Sequence, residues 1–285
     1  MATDSTVILL GERADVKPHK VNERPSARAG RYSLILITLL TFVFLYAPIV
    51  ILIIFSFNSA PRGAIWQGFT FDWYNKLFNN PRILDAAWRS LLIAVLSTVG
   101  SVSIGTLFAI AMERYKFKGK TFWDGLAYMP VIIPEVVMGI SLLLFFAAVN
   151  IERGLFTLVV SHIAFSMPFA YLTIRARLAD FDGSIEEAAQ DLGANEWITF
   201  WRITVPLLMP GIISGALLAF TLSIDDFVIS FFVNGKGWTT LPVYIWGSIK
   251  KGVTPEINAI SALMLVFSII LVLISQAIQR QERQA

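Results

Sequence analysis

Three acidic residues stand where acids are costly. Glu135, flanked by Pro134 and Val136, is the one charge in the run 125–151. Asp225 and Asp226 close the apolar run that begins at Ile203, within Thr221-Leu-Ser-Ile-Asp-Asp-Phe-Val-Ile-Ser230. An ionised carboxylate at a bilayer centre costs about 2.5–3.5 kcal/mol even on insertion scales, so each acid is expected to face a wet cavity. No Lys or Arg lies within the apolar runs to neutralise them. Acids without bases suit a cation; an anion pathway would show Arg, Lys or helix N-termini pointing inward. Adjacent Asp225 and Asp226 project about 100° apart on a helix. They cannot face one ligand equally, and one is free to cap a broken helix or bond a neighbouring subunit. Glu135 has the alternative of a neutral, structural carboxyl.

Other chemistries are excluded. The chain has no cysteine, hence no disulfide, thiolate metal site or cysteine nucleophile. Its two histidines do not make a metal site: His19 reads as solvated, and His162 as a hydrogen-bonded packing residue rather than a proton relay. No Gly-x-x-x-x-Gly-Lys-Ser/Thr run is present, and Gly30-Arg-Tyr-Ser33 is not one. Any energy from ATP must come from a separate subunit. No acid, base and nucleophile share one depth, so the chain is not read as an enzyme, and no cofactor is expected.

The elements that position these acids are membrane spans. Of the 285 residues, 56% are hydrophobic and only 15% charged, against about 25% charged in a soluble domain. Stretches free of Asp, Glu, Lys and Arg run over Tyr32–Pro61, Ser90–Met112, Gly154–Ile174, Ile203–Ile224 and Ile257–Gln279, with Gly125–Ile151 broken only by Glu135. Each reaches the roughly 20 residues that cross a bilayer, and the runs are continuous rather than alternating, which excludes a β-barrel. The expectation is an all-α polytopic membrane protein with six transmembrane helices. Pro130 and Pro134 predict a kink in the third. At about 1.5 Å per residue, Glu135 falls about 15 Å from the cytoplasmic entry and Asp225 about 28 Å along the fifth helix.

With the N-terminus inside, 15 Lys and Arg face the cytoplasm and 8 the other side, so both termini are expected to be cytoplasmic. The first apolar run is longer than a signal-peptide core and reads as a retained anchor. Residues 1–31 read as a disordered cytoplasmic tail, 32–279 as the transmembrane domain and 280–285 as a cytoplasmic C-terminus. The net charge of +3 comes with no basic tract in a folded segment, and no nucleic acid is expected.

The loop 180–206 is rich in signals. Ser184 followed by Glu187 fits a capping box with a helix from Ile185, Gly193 fits a C-terminal cap with positive φ, and a second short helix runs from Asn195 toward Pro206. Trp197 and Trp201 suit a membrane interface. Each of these alone is ordinary capping. Their joint spacing is not: Glu187-Ala188-Ala189, three residues, Gly193, nine residues, Ile203, one residue, Val205-Pro206. This resembles the EAA loop of the permeases of binding-protein-dependent ABC importers, departing only at Val205, where Leu is usual. The resemblance implies a type I ABC importer permease fold. It also implies that Glu187, Ala188, Ala189, Gly193, Ile203 and Pro206 couple the chain to a cytoplasmic ATPase. Small Ala188 and Ala189 admit close approach, Gly193 makes the turn, and Glu187 pairs with a basic residue or caps its own helix.

Further segments look like the polyamine (spermidine/putrescine) permeases, C/I-type subunit, over about Ser33 to Ile278. They are Tyr46-Ala-Pro48 with Ser56-Phe-Asn58, Trp66-Gln-Gly-Phe-Thr70 with Trp73-Tyr74, Phe220-Thr-Leu-Ser-Ile-Asp-Asp226, Thr240-Leu-Pro242 and Gly252-Val-Thr-Pro-Glu-Ile-Asn-Ala259. The likeness implies a cationic cargo, with Glu135, Asp225 and Asp226 as pathway candidates. Trp66, Trp73 and Tyr74 are candidates for cation–π contact, for packing on a binding protein, or for interfacial anchoring. The implied partners are a second related permease, two ATPase copies, a periplasmic binding protein and the lipid of a bacterial inner membrane. ATP-driven closure of the ATPases would swing the two loops as levers and open the pathway outward. Alternatives are another solute (ferric iron, an amino acid) on the same fold, or a proton-coupled secondary transporter, which would leave the EAA spacing unexplained.

Overall fold

The computed structural model describes residues 25–61, 65–179, 182–250, 252 and 254–282. Residues 1–24 of the expected tail, Asp180 and Phe181 of the expected loop and 283–285 of the expected C-terminus lie outside them. Every named element among the described residues is helical. Five helices are long and apolar enough to cross a membrane, or six if one bent pair is a single span.

The described residues divide into two compact units, one from residue 25 to Ile51 and the other from Leu52 onward. Helix α1 (Pro25–Phe55) carries the first apolar run and Pro48 in its interior, and it begins before the expected start at Tyr32. A helix can continue past the bilayer into polar sequence, because its backbone is satisfied internally.

In the second unit, α2 (Asp72–Phe78) precedes α3 (Pro81–Arg114). The Asn80 side chain caps α3 by accepting from Arg82 N–H at 3.1 Å, with Pro81 at the first turn. Next come α4 (Lys120–Ile132), α5 (Glu135–Ala148) and α6 (Leu155–Ala179), then α7 (Ser184–Asp191) and α8 (Glu196–Thr199). A π turn over Phe200–Thr204 leads into α9 (Val205–Ile224), followed by α10 (Val228–Val233), α11 (Leu241–Ile249) and α12 (Pro255–Glu282).

Helices α3, α6 and α9 pack closely on one another. The reason is in the sequence. Buried Ser97, Ser101, Gly105 and Ala109 line α3 at every fourth residue, as Gly211, Gly215, Ala219 and Ser223 line α9. In lipid, where apolar burial drives little, small residues on one helix face allow the backbones to approach. A Cβ at Gly215 would lie 3.4 Å from the Ala170 backbone of α6. Beyond the bundle, Gly235 abuts the Arg153 carbonyl so closely that a Cβ would overlap it. Gly235→Ala is therefore expected to cost about 3 kcal/mol, as overpacking does, read as a lowered melting temperature in detergent.

The third span breaks rather than kinks. Helices α4 and α5 meet at 109°. Pro130 sits inside α4 without interrupting it. The break falls at Ile133, which is extended (φ −70, ψ 130), the conformation that a following proline favours. Glu135 thus opens a new helix instead of lying midway along a straight one.

The expected capping box does not form. Helix α7 starts at Ser184, and no side chain at its N-cap, Gly183, bonds it. Asp182 takes that role, its Oδ1 accepting from Ser184 N–H at 3.0 Å. That backbone hydrogen bond holds the exposed Asp182 carboxyl below the usual carboxylate range. Gly193 has φ +92 and closes α7 with a Schellman pair, Ala194 N–H to Ala189 O at 3.0 Å and Gly193 N–H to Gln190 O at 2.9 Å. The second short helix is capped by Asn195, whose Oδ1 accepts from Ile198 N–H at 2.8 Å. It passes through the π turn into α9 without a break at Pro206.

Candidate functional site

Two regions carry the candidate residues. The first is the meeting of α5, α6, α9 and α10, where the adjacent aspartates part company. Asp225 caps the end of α9, is exposed, and accepts from Ser268 Oγ of α12 at 3.0 and 3.2 Å. Asp226 turns inward and is 5% exposed. Its two oxygens accept from the backbone N–H groups of Ile229 (3.2 Å) and Ser230 (2.7 Å), satisfying the first turn of α10. His162 Nε2 of α6 lies 3.3 Å from Asp226 Oδ2. The same ring pairs with Ser223 Oγ through Nδ1 at 2.6 Å and with Ser230 Oγ through Nε2 at 3.0 Å, while Ser223 bonds Ser97 of α3 at 2.9 Å. His162 is thus a fully bonded packing residue, as its setting suggests. Glu135, half-buried at the start of α5, lies close enough to Asp226 for the two carboxyls to interact. Helix α5 reaches α10 because Gly139 leaves room for Phe232 and the Ile229 backbone.

The arrangement divides the three acids by role. Asp226 spends its oxygens on α10 and His162, so it shapes the site instead of offering a free face. Glu135 and Asp225 keep exposed surface. Sequence alone does not assign these roles, because adjacent acids at a helix end have the same spacing whichever one turns inward.

The aromatic candidates separate likewise. Trp73 Nε1 donates to Asn58 O at 2.8 Å, and Tyr74 OH pairs with Ser56 Oγ at 2.8 Å. Both rings pack on the cluster of Leu77, Ile83 and Ala86, and Lys76 Nζ already lies 4.3 Å over the Trp73 ring. Trp73 and Tyr74 therefore anchor their loop, a task shared with buried Asn58, which donates to Ile65 O and accepts from Gln67 N–H. Trp66 alone of the three is exposed, edge-on to Phe55.

The second region is the loop 182–206. Glu187, Ala188 and Gly193 are exposed and Ala189 half-buried, while Ile203 and Pro206 lie in the π turn and at the start of α9. Leu192, beside Gly193, is 90% exposed, and Ile185 and Trp197 are exposed as well. These three large apolar side chains stand exposed about a polar helix. The sequence signal for Leu192 is a lone large apolar residue amid Gln, Asp, Gly and Asn.

Residues 101–281 match the family model described as the binding-protein-dependent transport system inner membrane component. The chain belongs to that family. It is 45% identical over 241 residues to the spermidine/putrescine transport system permease protein PotC of Escherichia coli (strain K12), covering 85% of this chain and 91% of that protein. The putrescine transport system permease protein PotI of the same strain is 43% identical over 241 residues, 81% of this chain and 85% of that one. Among solved structures, a bacterial ABC transporter involved in the import of the acidic polysaccharide alginate superimposes with a TM-score of 0.68 at 16% identity, covering 89% of this chain and 98% of that chain. The likeness establishes the fold: an all-α, membrane-embedded, type I ABC importer permease.

Proposed function

We propose that this chain is one of two permease subunits of an ATP-driven polyamine importer, with its termini and the 182–206 loop in the cytoplasm. The observation that carries the cargo is the 45% identity to a permease named for spermidine and putrescine. The acids agree with it: Glu135 and Asp225 keep exposed surface, and among the described residues no Lys or Arg pairs with either, which suits an ammonium chain. In this reading ATP is hydrolysed on a separate subunit, two copies of which grip the loops through Leu192, Glu187 and Ala188. A second permease completes the pathway, and a periplasmic protein delivers the polyamine. Asp226 and His162 hold α10 in place so that Glu135 and Asp225 present their oxygens.

The test is ATPase stimulation in the reconstituted complex by binding protein loaded in turn with spermidine, putrescine, an amino acid or ferric iron. Stimulation by a polyamine-loaded partner alone is the expected result. Stimulation by another cargo and by no polyamine would overturn the assignment.

A further inference from the structure

Helix α7 turns one buried side chain toward the rest of its unit. Glu186 is its only buried residue, 9% exposed. A carboxylate shielded from water is costly unless paired, and this one is. Arg114, the last residue of α3, donates from Nη2 to Glu186 Oε1 at 2.5 Å. Thr204, the last residue of the π turn and itself buried, donates its hydroxyl to the same oxygen. One carboxylate oxygen therefore ties α7 to the ends of α3 and α9.

Beside this junction lies a cavity of about 850 Å³ lined by Leu107, Ile110, Tyr115, Trp197 and Phe200, with Arg114, Glu186 and Thr204 in its wall. The space leaves α7 and α8 room to shift while the polar junction stays closed. The π turn that ends in Thr204 is the kind of helix irregularity that absorbs such a shift.

We propose that Glu186 is a positioning residue that transmits movement of α7 to the second and fifth spans through Arg114 and Thr204. The proposal rests on the reading of α7 as the ATPase-docking helix. It differs from docking itself, which uses the exposed face of α7, where Glu187 and Ala188 stand.

The experiment uses the complete reconstituted complex and the double variant Arg114→Met/Glu186→Met, which removes both members of the buried pair together rather than stranding one of them. The ATPase should co-purify at the wild-type ratio. Basal hydrolysis should stay within about twofold, while stimulation by loaded binding protein and uptake fall by about tenfold or more, the size of an ordinary coupling free energy. Arg114→Lys, which keeps a charged donor, should retain most of the stimulation. Stimulation kept within about twofold of wild type in the double variant would overturn the proposal, since couplings of this class span about 5- to 150-fold. Loss of the ATPase from that variant would also overturn it, because Glu186 would then serve docking. Failure of the docking reading is seen separately, as a Gly193→Pro complex that keeps its ATPase and normal stimulation.

Discussion

Gly193→Pro is expected to release the ATPase from the complex and reduce uptake to background. Gly193 has φ +92, and its N–H donates to Gln190 O at 2.9 Å. Proline fixes φ near −65° and has no N–H, so it removes both the turn and the bond. Helix α7 would then end differently, and Leu192, 90% exposed beside the glycine, would no longer be presented. Gly193→Ala keeps the N–H and incurs only the left-handed penalty of about 1–2 kcal/mol. That corresponds to roughly 5- to 30-fold in the population of the correct turn. A graded loss of co-purified ATPase from glycine through alanine to proline is the expected series. Normal retention in the proline variant would show that α7 is not the docking element.

The second large effect separates Asp226 from Glu135. Asp226→Ala strips the acceptors from two backbone N–H groups of α10 and removes one of the three partners of His162, all in a buried site. Leaving buried donors unsatisfied costs about 1–3 kcal/mol each, so this variant is expected to lose folded protein and to melt well below wild type in detergent. Glu135→Gln sits at a half-buried position whose backbone bonds do not depend on its side chain. It is expected to melt as wild type does and to lower uptake by about tenfold, the scale of one lost contact to a charged group. If Asp226→Ala kept its melting temperature and lost only uptake, Asp226 would be a ligand contact and its capping role secondary.

The spans were legible because lipid imposes a continuous apolar run on each of them. So was the turn at Gly193, because a positive φ after an eight-residue polar helix leaves glycine as the natural choice. Three features were not. Pro130 and Pro134 look equivalent in sequence, yet Met129 before the first stays helical while Ile133 before the second is extended, and nothing in the sequence tells the two apart. Ser184 loses the capping position to Asp182, because both side chains can bond the same free N–H groups and the entry of the chain decides between them. The junction of Arg114, Glu186 and Thr204 joins residues far apart in sequence, and Glu186 beside Glu187 carries no mark of which one is turned inward.

The central claim is that ATP drives a cation through a pathway built partly by this chain. Proteoliposomes containing the complete complex, given labelled polyamine and loaded binding protein on one side and ATP on the other, test it directly. Accumulation that requires ATP and is unaffected by a protonophore is the expected result. Uptake that proceeds without ATP and collapses when a protonophore is added would contradict it.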